Sequence, residues 1–563
     1  MSSRVRVWGD ASTNEPVHLI PGQDLVLHAP SAGADQLAEG VLLDDWLTLD
    51  LREDLDRTAR GLMAAWQRRR GPDLTIAGVP LAYVHELELY ADVFLRETRI
   101  VLGLSSALVR GGAAACELRN VDAELARCLD ATLPVAVEAR EPAPPPFYPI
   151  AFAGTARAGR TMLGKGRAVT GIPGWPRGRV LVEPYWHLAP VCRRLAVSRA
   201  FPVVNPLNLP ALGRRELVDT IRVGGWLGDP GVRARARARR VTAGALAMLV
   251  ESVADDPLDE LLDRRCSRLL ATRAQDTVAL VDARRRAFSR ATRAFLTYSD
   301  TAPVPRLTIV AAREHGAKVV HVQHGLFGHL PRDDGAPARV LDGWSADVVA
   351  VWSEHEHAVF APSVPGRVEV TGNPGAEHLT DAPHTRPSEG HVLVLGQMRG
   401  PLSTVWDARV SSRHLRAALM AAARTGHRTV VVRPHPLDRD LAAQVRLAEE
   451  FPTLDVRLES AGPVEAAIAG AGLCVGAVST ATLQAAALGT PTVLLDVTNV
   501  SLEWPFDGSS DFPTAGGTDD LADLIATIGR AGETGGRETA LAALGARRGA
   551  SEAVLRLIAE DGD

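Results

Sequence analysis

The chain has 563 residues, enough for two to four domains that each bury a core. Its composition is that of an ordinary globular protein, 46% apolar and 23% charged, and a formal net charge of -5 gives no general attraction to nucleic acid, which is therefore not expected as a partner. Five scattered cysteines without a CxxC or Cys/His cluster argue against a disulfide framework and a structural zinc site, and fit a reducing cytoplasm.

The N-terminus, "MSSRVRVWGDASTNEP", has no apolar signal core, and no apolar run is long enough to span a bilayer. In chain order, short β-branched and aliphatic runs then alternate with helical patterns, which predicts parallel α/β layers. Strands are expected at "DLVLHAP", "DLTIAG", "RIVLGL", "LPVAVEA", "RVLVEPYW" and "RAFLTYSD", with helices at "LREDLDRTARGLMAAWQRRR" and "VDAELARCLDA". Residues 232 to 294 read as almost wholly helical. After "VVHVQHG" come a polar loop, "DVVAVWSEHEHAVF" and "RVEVTGNPGAEHL", and a second alternating unit then runs through "HVLVLGQ", "RTVVVRPHP", "LDVRLES", "LCVGAV" and "TPTVLLD". The expected fold is α/β, with two Rossmann-like domains facing across a cleft: residues 1–345 with a helical insertion, residues 346–530, and C-terminal helices at 531–563.

Two strands end in histidine. In an open parallel sheet ligands bind beyond the carboxyl ends of the strands. In "RTVVVRPHP", Pro434 and Pro436 stop regular pairing, which offers Arg433 and His435 at the rim. Arginine can fork onto a phosphate, and histidine can donate to a phosphate oxygen or neutralise a leaving group. In "AVSTATLQAAALG", Ser479 or Thr480 is a natural N-cap, and with Thr482 and the first-turn N–H groups it makes an anion site. "HVQHG" has the same form: Gly325 is expected to permit a turn that presents Gln323 and His324, and the following loop carries His329, Asp333 and Asp334. A metal site on His321, His324 and His329 is disfavoured, because strand positions 321 and 324 point to opposite faces. "SEHEHAVF" reads as a solvated turn or helix start.

The succession "HVQHG", "VTGNP", "VVVRPHP" and "SxxTLQAAALGTPTVLLD" resembles that of GT-B glycosyltransferases that build bacterial surface polymers: capsule β-Kdo transferases, polysialyltransferases and CDP-glycerol glycerophosphotransferases. The resemblance covers roughly residues 295–500 and is only architectural before that. It implies that His324 and His435 are functionally required, His324 as a catalytic or phosphate-contacting residue, and that Arg433, His435, Ser479 and Thr480 hold the donor; Thr482, Gln323 and Gly325 are expected beside them. The first domain would then take the acceptor and the second the nucleotide. Two departures stand out. Gln484 occupies the position where an acidic residue is often found, and the acidic pair Asp333–Asp334 follows "QHG" where polysialyltransferases carry theirs elsewhere; these aspartates are retained as base candidates.

Glycosyl transfer needs a base for the acceptor hydroxyl and a clamp on the departing phosphate. The implied reaction is metal-independent and uses no cofactor, only a nucleotide-activated donor of CMP, CDP or UDP type and a glycan or lipid-linked acceptor. Competing readings are a UDP-GlcNAc 2-epimerase-like enzyme and a non-catalytic nucleotide-sugar-binding protein. The basic runs "QRRR" and "RARARARR" raise peripheral contact with the cytoplasmic face of the membrane, against the commoner reading of a solvated helix face.

Overall fold

The computed structural model describes residues 4–8, 24–28, 41–42, 49–70, 74–111, 115–119, 122–133, 136–140, 179–183, 188–197, 202–204, 237–239, 242, 256–288, 292–326, 345–362, 364–382, 390–397, 408–435, 441–498, 502, 504–509, 511–531 and 536–560. The chain divides into two compact units, one of Met1–Arg157, Asp229–Ala283 and Ala302–Leu307, the other of Ala158–Gly228, Arg284–Thr301 and Thr308–Asp563.

The first unit holds a parallel sheet of β1 (Arg4–Trp8), β2 (Asp24–His28), β3 (Val41–Leu42), β6 (Ala115–Arg119) and β7 (Ala136–Arg140), in the order β3-β2-β1-β6-β7. Three of these strands escape the sequence reading: "RVRVW" and "ACELR" are not continuous apolar runs, and β3 has only two residues. "RIVLGL" is no strand: it lies in the Arg96–Gly111 helix, where Ile100, Val101 and Leu104 are buried at helical spacing. "DLTIAG" contributes only β4 (Thr75–Ile76), which pairs antiparallel with β5 (Val79–Pro80) across a turn where Ala77 and Gly78 have φ of 53° and 76°.

The helices of this unit enclose charge. Arg265 is fully buried on the Pro257–Ala287 helix and meets Asp122 (2.5 Å), Glu124 (3.1 Å) and Glu97 (3.4 Å). Burial pushes the Glu97 carboxyl up, with the Arg265 guanidinium opposing. Such a cluster is kept because removing one member strands the others in a dry interior.

The second unit contains two Rossmann-like sheets. One is built of β8 (Arg179–Val182), β9 (Pro202–Val204), β10 (Thr292–Thr297), β11 (Lys318–Val322), β12 (Val348–Val351) and β13 (Arg367–Val370), ordered β13-β12-β11-β10-β8-β9, all parallel. The other is built of β14 (His391–Leu395), β15 (Thr429–Arg433), β16 (Asp455–Leu458), β17 (Ala471–Gly476), β18 (Thr492–Leu495) and β19 (Thr514–Ala515), ordered β16-β15-β14-β17-β18-β19 and also parallel. The strands that follow residue 346, β12 and β13, thus pair into the earlier of the two sheets, and the later sheet begins at His391.

Burial on both faces explains the apolar runs. In β14 and β15, Val392, Val394, Val430 and Val432 pack on one side, Leu393, Leu395 and Val431 on the other. Likewise Val180, Val182, Leu296 and Val320 occupy one face of the earlier sheet, Leu181, Phe295 and Val319 its other. "SEHEHAVF" folds as the Glu354–Phe360 helix capped by Ser353, with Glu356, Val359 and Phe360 buried, so one side of it belongs to the core.

The chain then crosses back. Val554, Leu557 and Ile558 of the Ala550–Ala559 helix pack on the earlier sheet, and Glu377 accepts from Gly549 N (2.7 Å) and Ser551 Oγ (2.6 Å). Just before it, Gly545 has φ +59° and lies against Trp352, where an added Cβ would fall 2.4 Å from the Trp352 carbonyl oxygen. Gly545→Ala combines left-handed strain with a backbone clash and is expected to cost about 2–4 kcal/mol, read as a lowered urea midpoint for the full chain; an unchanged midpoint would contradict this packing.

Candidate functional site

The order β16-β15-β14-β17-β18-β19 is 3-2-1-4-5-6 in chain sequence, so the connections diverge between β14 and β17, where such sheets bind ligands. Leu395 is in register with both Arg433 and Gly476, so the ends of β15 and β17 flank that of β14 at one level. Gly396 N–H donates to the Arg433 carbonyl (3.0 Å), and the Gln397 side chain donates to the Val478 carbonyl. The "RPH" and "ST" turns therefore lie on either side of the β14 end, about 10 Å apart. Gln397 was missed at the sequence level; the signal was its place directly after an apolar strand at the switch point.

At the β17 end, Ser479 caps the Thr480–Ala487 helix, its Oγ accepting from Thr482 N at 3.2 Å. That bond uses the third N–H of the helix and leaves those of Thr480 and Ala481 as the leading first-turn donors. Thr482 itself is fully buried and donates its hydroxyl to the Ala477 carbonyl (2.6 Å), so it shapes the turn. Gly476 is needed for this approach: an added Cβ would lie 2.1 Å from Thr482 Oγ1 and 2.6 Å from its Cγ2. Gln484 is buried within the helix.

Arg433 was expected to fork onto a phosphate. It is largely buried, and its guanidinium donates to three carbonyls beyond β16: Glu459 (3.2 Å), Ala461 and Gly462. It orders that loop. His435 is half-buried and follows Pro434 out of the sheet.

The "HVQHG" turn is braced from below. Gln323 is fully buried; its Nε2 donates to the Gly325 carbonyl (2.8 Å), its Oε1 accepts from Trp352 N (2.9 Å), and its own carbonyl accepts from Trp352 Nε1 (2.9 Å). Gly325 does not adopt a positive φ, contrary to the reason first given for a glycine there, and an added Cβ would meet nothing within 4 Å. His324 is half-buried, edge-on to Tyr298 with ring centroids 5.4 Å apart, whereas His321 is fully buried. Asp333, Asp334 and His329 lie outside the described residues. Among the described residues no cluster of three His, Cys, Asp or Glu side chains could hold a metal ion.

The two rims share one seam. Leu326, two residues after His324, and Val478, just before Ser479, pack on a single apolar cluster with Trp352, Ala376, Leu379, Leu483, Ala486 and Leu544. Residues following the ends of β11–β13 thus share one apolar cluster with the helix following β17, so the carboxyl ends of both sheets meet at that seam.

The described cysteines Cys128, Cys192, Cys266 and Cys474 are buried and form no disulfide, and no described helix is long and apolar enough to cross a membrane.

No known protein family matches the sequence, and no curated protein does. Among solved structures, UDP-N-acetylglucosamine 2-epimerase from Rickettsia bellii is 12% identical with a TM-score of 0.40, over 68% of this chain and 96% of that one. MurG from Acinetobacter baumannii is 14% identical with a TM-score of 0.37, over 68% and 99%. A glycosyltransferase from Rickettsia africae ESF-5 is 9% identical with a TM-score of 0.35, over 68% and 94%. Overlaps this loose carry no activity over to the present chain.

Beneath the rim lies a titratable group. His414 is fully enclosed on the Ala408–Arg424 helix, and burial pushes its pKa down to about 4, partly offset by a hydrogen bond to the Gly476 backbone. The unfolded chain takes up this proton near pH 6.5, the folded chain only near 4. The neutral ring's contribution is thus fully present above pH 6.5 and is lost as pH falls through that window, by up to about 3 kcal/mol. His414→Gln should flatten stability against pH between 6.5 and 4; an unaltered slope would assign the acid sensitivity elsewhere. Gly476→Ala should cost about 1–3 kcal/mol by displacing Thr482, measured by thermal unfolding, and a variant as stable as the parent would mean that the turn is looser than described.

Proposed function

We propose that the chain is a GT-B glycosyltransferase that moves a sugar, or a sugar-like alditol phosphate unit, from a nucleotide-activated donor to a hydroxyl of a surface-glycan or lipid-linked acceptor. The observation that supports this reading is the apolar seam shared by Leu326 and Val478, next to the "HG" and "ST" turns that stand far apart in sequence. Group transfer needs such an arrangement, because donor and acceptor must be oriented together before reaction.

In this reading the Thr480 and Ala481 N–H groups and Ser479 take the donor phosphate, and His435 neutralises it as it departs. Arg433, Thr482, Gln323 and Gly325 shape the turns that carry these groups. His324 faces the acceptor side, with Asp333 and Asp334 in the loop that follows. The order of motifs from residue 295 to 500, similar to that of capsule and teichoic-acid transferases, supports transfer from a nucleotide-activated donor.

The test is a panel of CMP-, CDP-, UDP- and GDP-linked donors assayed for nucleotide release and for the fate of the sugar. One class should be turned over, and His435→Ala should lower that rate by about 10²–10⁴-fold with unfolding behaviour unchanged. Full activity in the variant would refute the assignment. Release of an epimerised sugar with no adduct on any acceptor would replace transfer by epimerisation.

A further inference from the structure

Glu183 immediately follows β8. Its N–H donates to the Leu296 carbonyl at 2.8 Å, so the parallel ladder with β10 continues to this residue. Its Oε2 lies 2.7 Å from the Thr297 hydroxyl at the end of β10, whose one proton is shared between this carboxylate and the Ser299 carbonyl at 2.6 Å. In the order β13-β12-β11-β10-β8-β9 the chain winds one way from β8 to β9 and the other way from β10 outward, so the ends of β8 and β10 bound the switch point of the earlier sheet. A carboxylate held by a buried hydroxyl therefore stands at the place in this sheet where ligand binding is favoured.

Tyr298, next after Thr297, lies on the other face of the sheet and packs edge-on against His324, ring centroids 5.4 Å apart, so the ends of β10 and β11 carry these two rings side by side. Buried Arg284 interacts electrostatically with Glu183, and burial pushes the arginine's pKa down to about 10. An ionised carboxylate only accepts hydrogen bonds, and one oriented before substrate arrives suits the task of receiving a proton.

We propose that Glu183 is the base that takes the proton of the acceptor hydroxyl, with Thr297 as its positioning residue. This rests on the glycosyltransferase reading. In the step, the acceptor O–H passes its proton to the Glu183 carboxylate while its oxygen forms a bond to the anomeric carbon of the sugar nucleotide. The bond from that carbon to the donor phosphate oxygen breaks, its electron pair leaves with the nucleotide, and Glu183 then returns the proton to solvent.

Water can stand in for the acceptor, so the full chain is assayed for hydrolysis of each of the four classes of sugar nucleotide across pH, alongside equilibrium binding of CMP, CDP, UDP and GDP. Glu183→Gln should lower hydrolysis at least ~100-fold and abolish the acid limb of its pH profile, with nucleotide affinity held within about twofold. Thr297→Val should slow hydrolysis about tenfold and Thr297→Ser should restore it. Hydrolysis within threefold of the parent in Glu183→Gln, or an acid limb that survives there, overturns the proposal. Should Glu183→Gln not fold, a Thr297→Val variant at the parental rate overturns it instead. A parent chain that binds none of the four nucleotides sinks the glycosyltransferase reading together with this assignment, whereas nucleotide binding with Glu183 silent sinks the assignment alone.

Discussion

Trp352 lies one residue past the end of β12, yet it is only 2% exposed. Its indole and backbone N–H groups are both spent on Gln323, its carbonyl is crowded by Gly545, and its ring joins Leu483, Ala486 and Leu544. One side chain thus ties the strand end that presents His324 to the helix that begins at Ser479 and to the segment that returns the chain to the earlier sheet. Apolar contact supplies the adhesion and the two hydrogen bonds supply the direction, because an indole N–H buried without a partner would be costly. The catalytic geometry proposed for the cleft depends on this seam.

Around it the polar residues fall into two groups. Arg433, Thr482 and Gln323 have their hydrogen bonds committed to backbone carbonyls or amides of the turns they serve. His324, His435 and Ser479 are half-buried at the rim, where a ligand can meet them. The division is what preorganisation requires: groups that meet charge are held by others that do not move. Glu183 and Thr297 repeat it on the earlier sheet, the hydroxyl fixing the carboxylate.

Most of the second unit is legible in its sequence, because strands buried on both faces read as apolar runs and each helix between them carries a clear stop. The expectation that "RPHP" and "VSTATL" lie near each other rested on strand order alone. The first unit was harder. The Arg96–Gly111 helix and a buried strand both read as an apolar run, and β1 and β6 alternate charged with apolar residues, so a third parallel sheet went unseen. Residue roles were less legible than residue positions. A guanidinium at a strand end looks the same in sequence whether it meets a phosphate or a neighbouring loop, and only the carbonyls of residues 459–462 decide for Arg433. Glu183 passed unnoticed because its partner Thr297 is remote in sequence and nothing local marks it.

The most direct measurement is a crystal structure of the full chain with the nucleoside diphosphate that it binds. A phosphate seated between His435 and the first turn of the Thr480–Ala487 helix, within hydrogen-bond reach of the Thr480 or Ala481 N–H, is the result expected. A nucleotide bound instead at the carboxyl ends of β1 and β6 in the first unit, with the β14–β17 rim empty, would contradict the account.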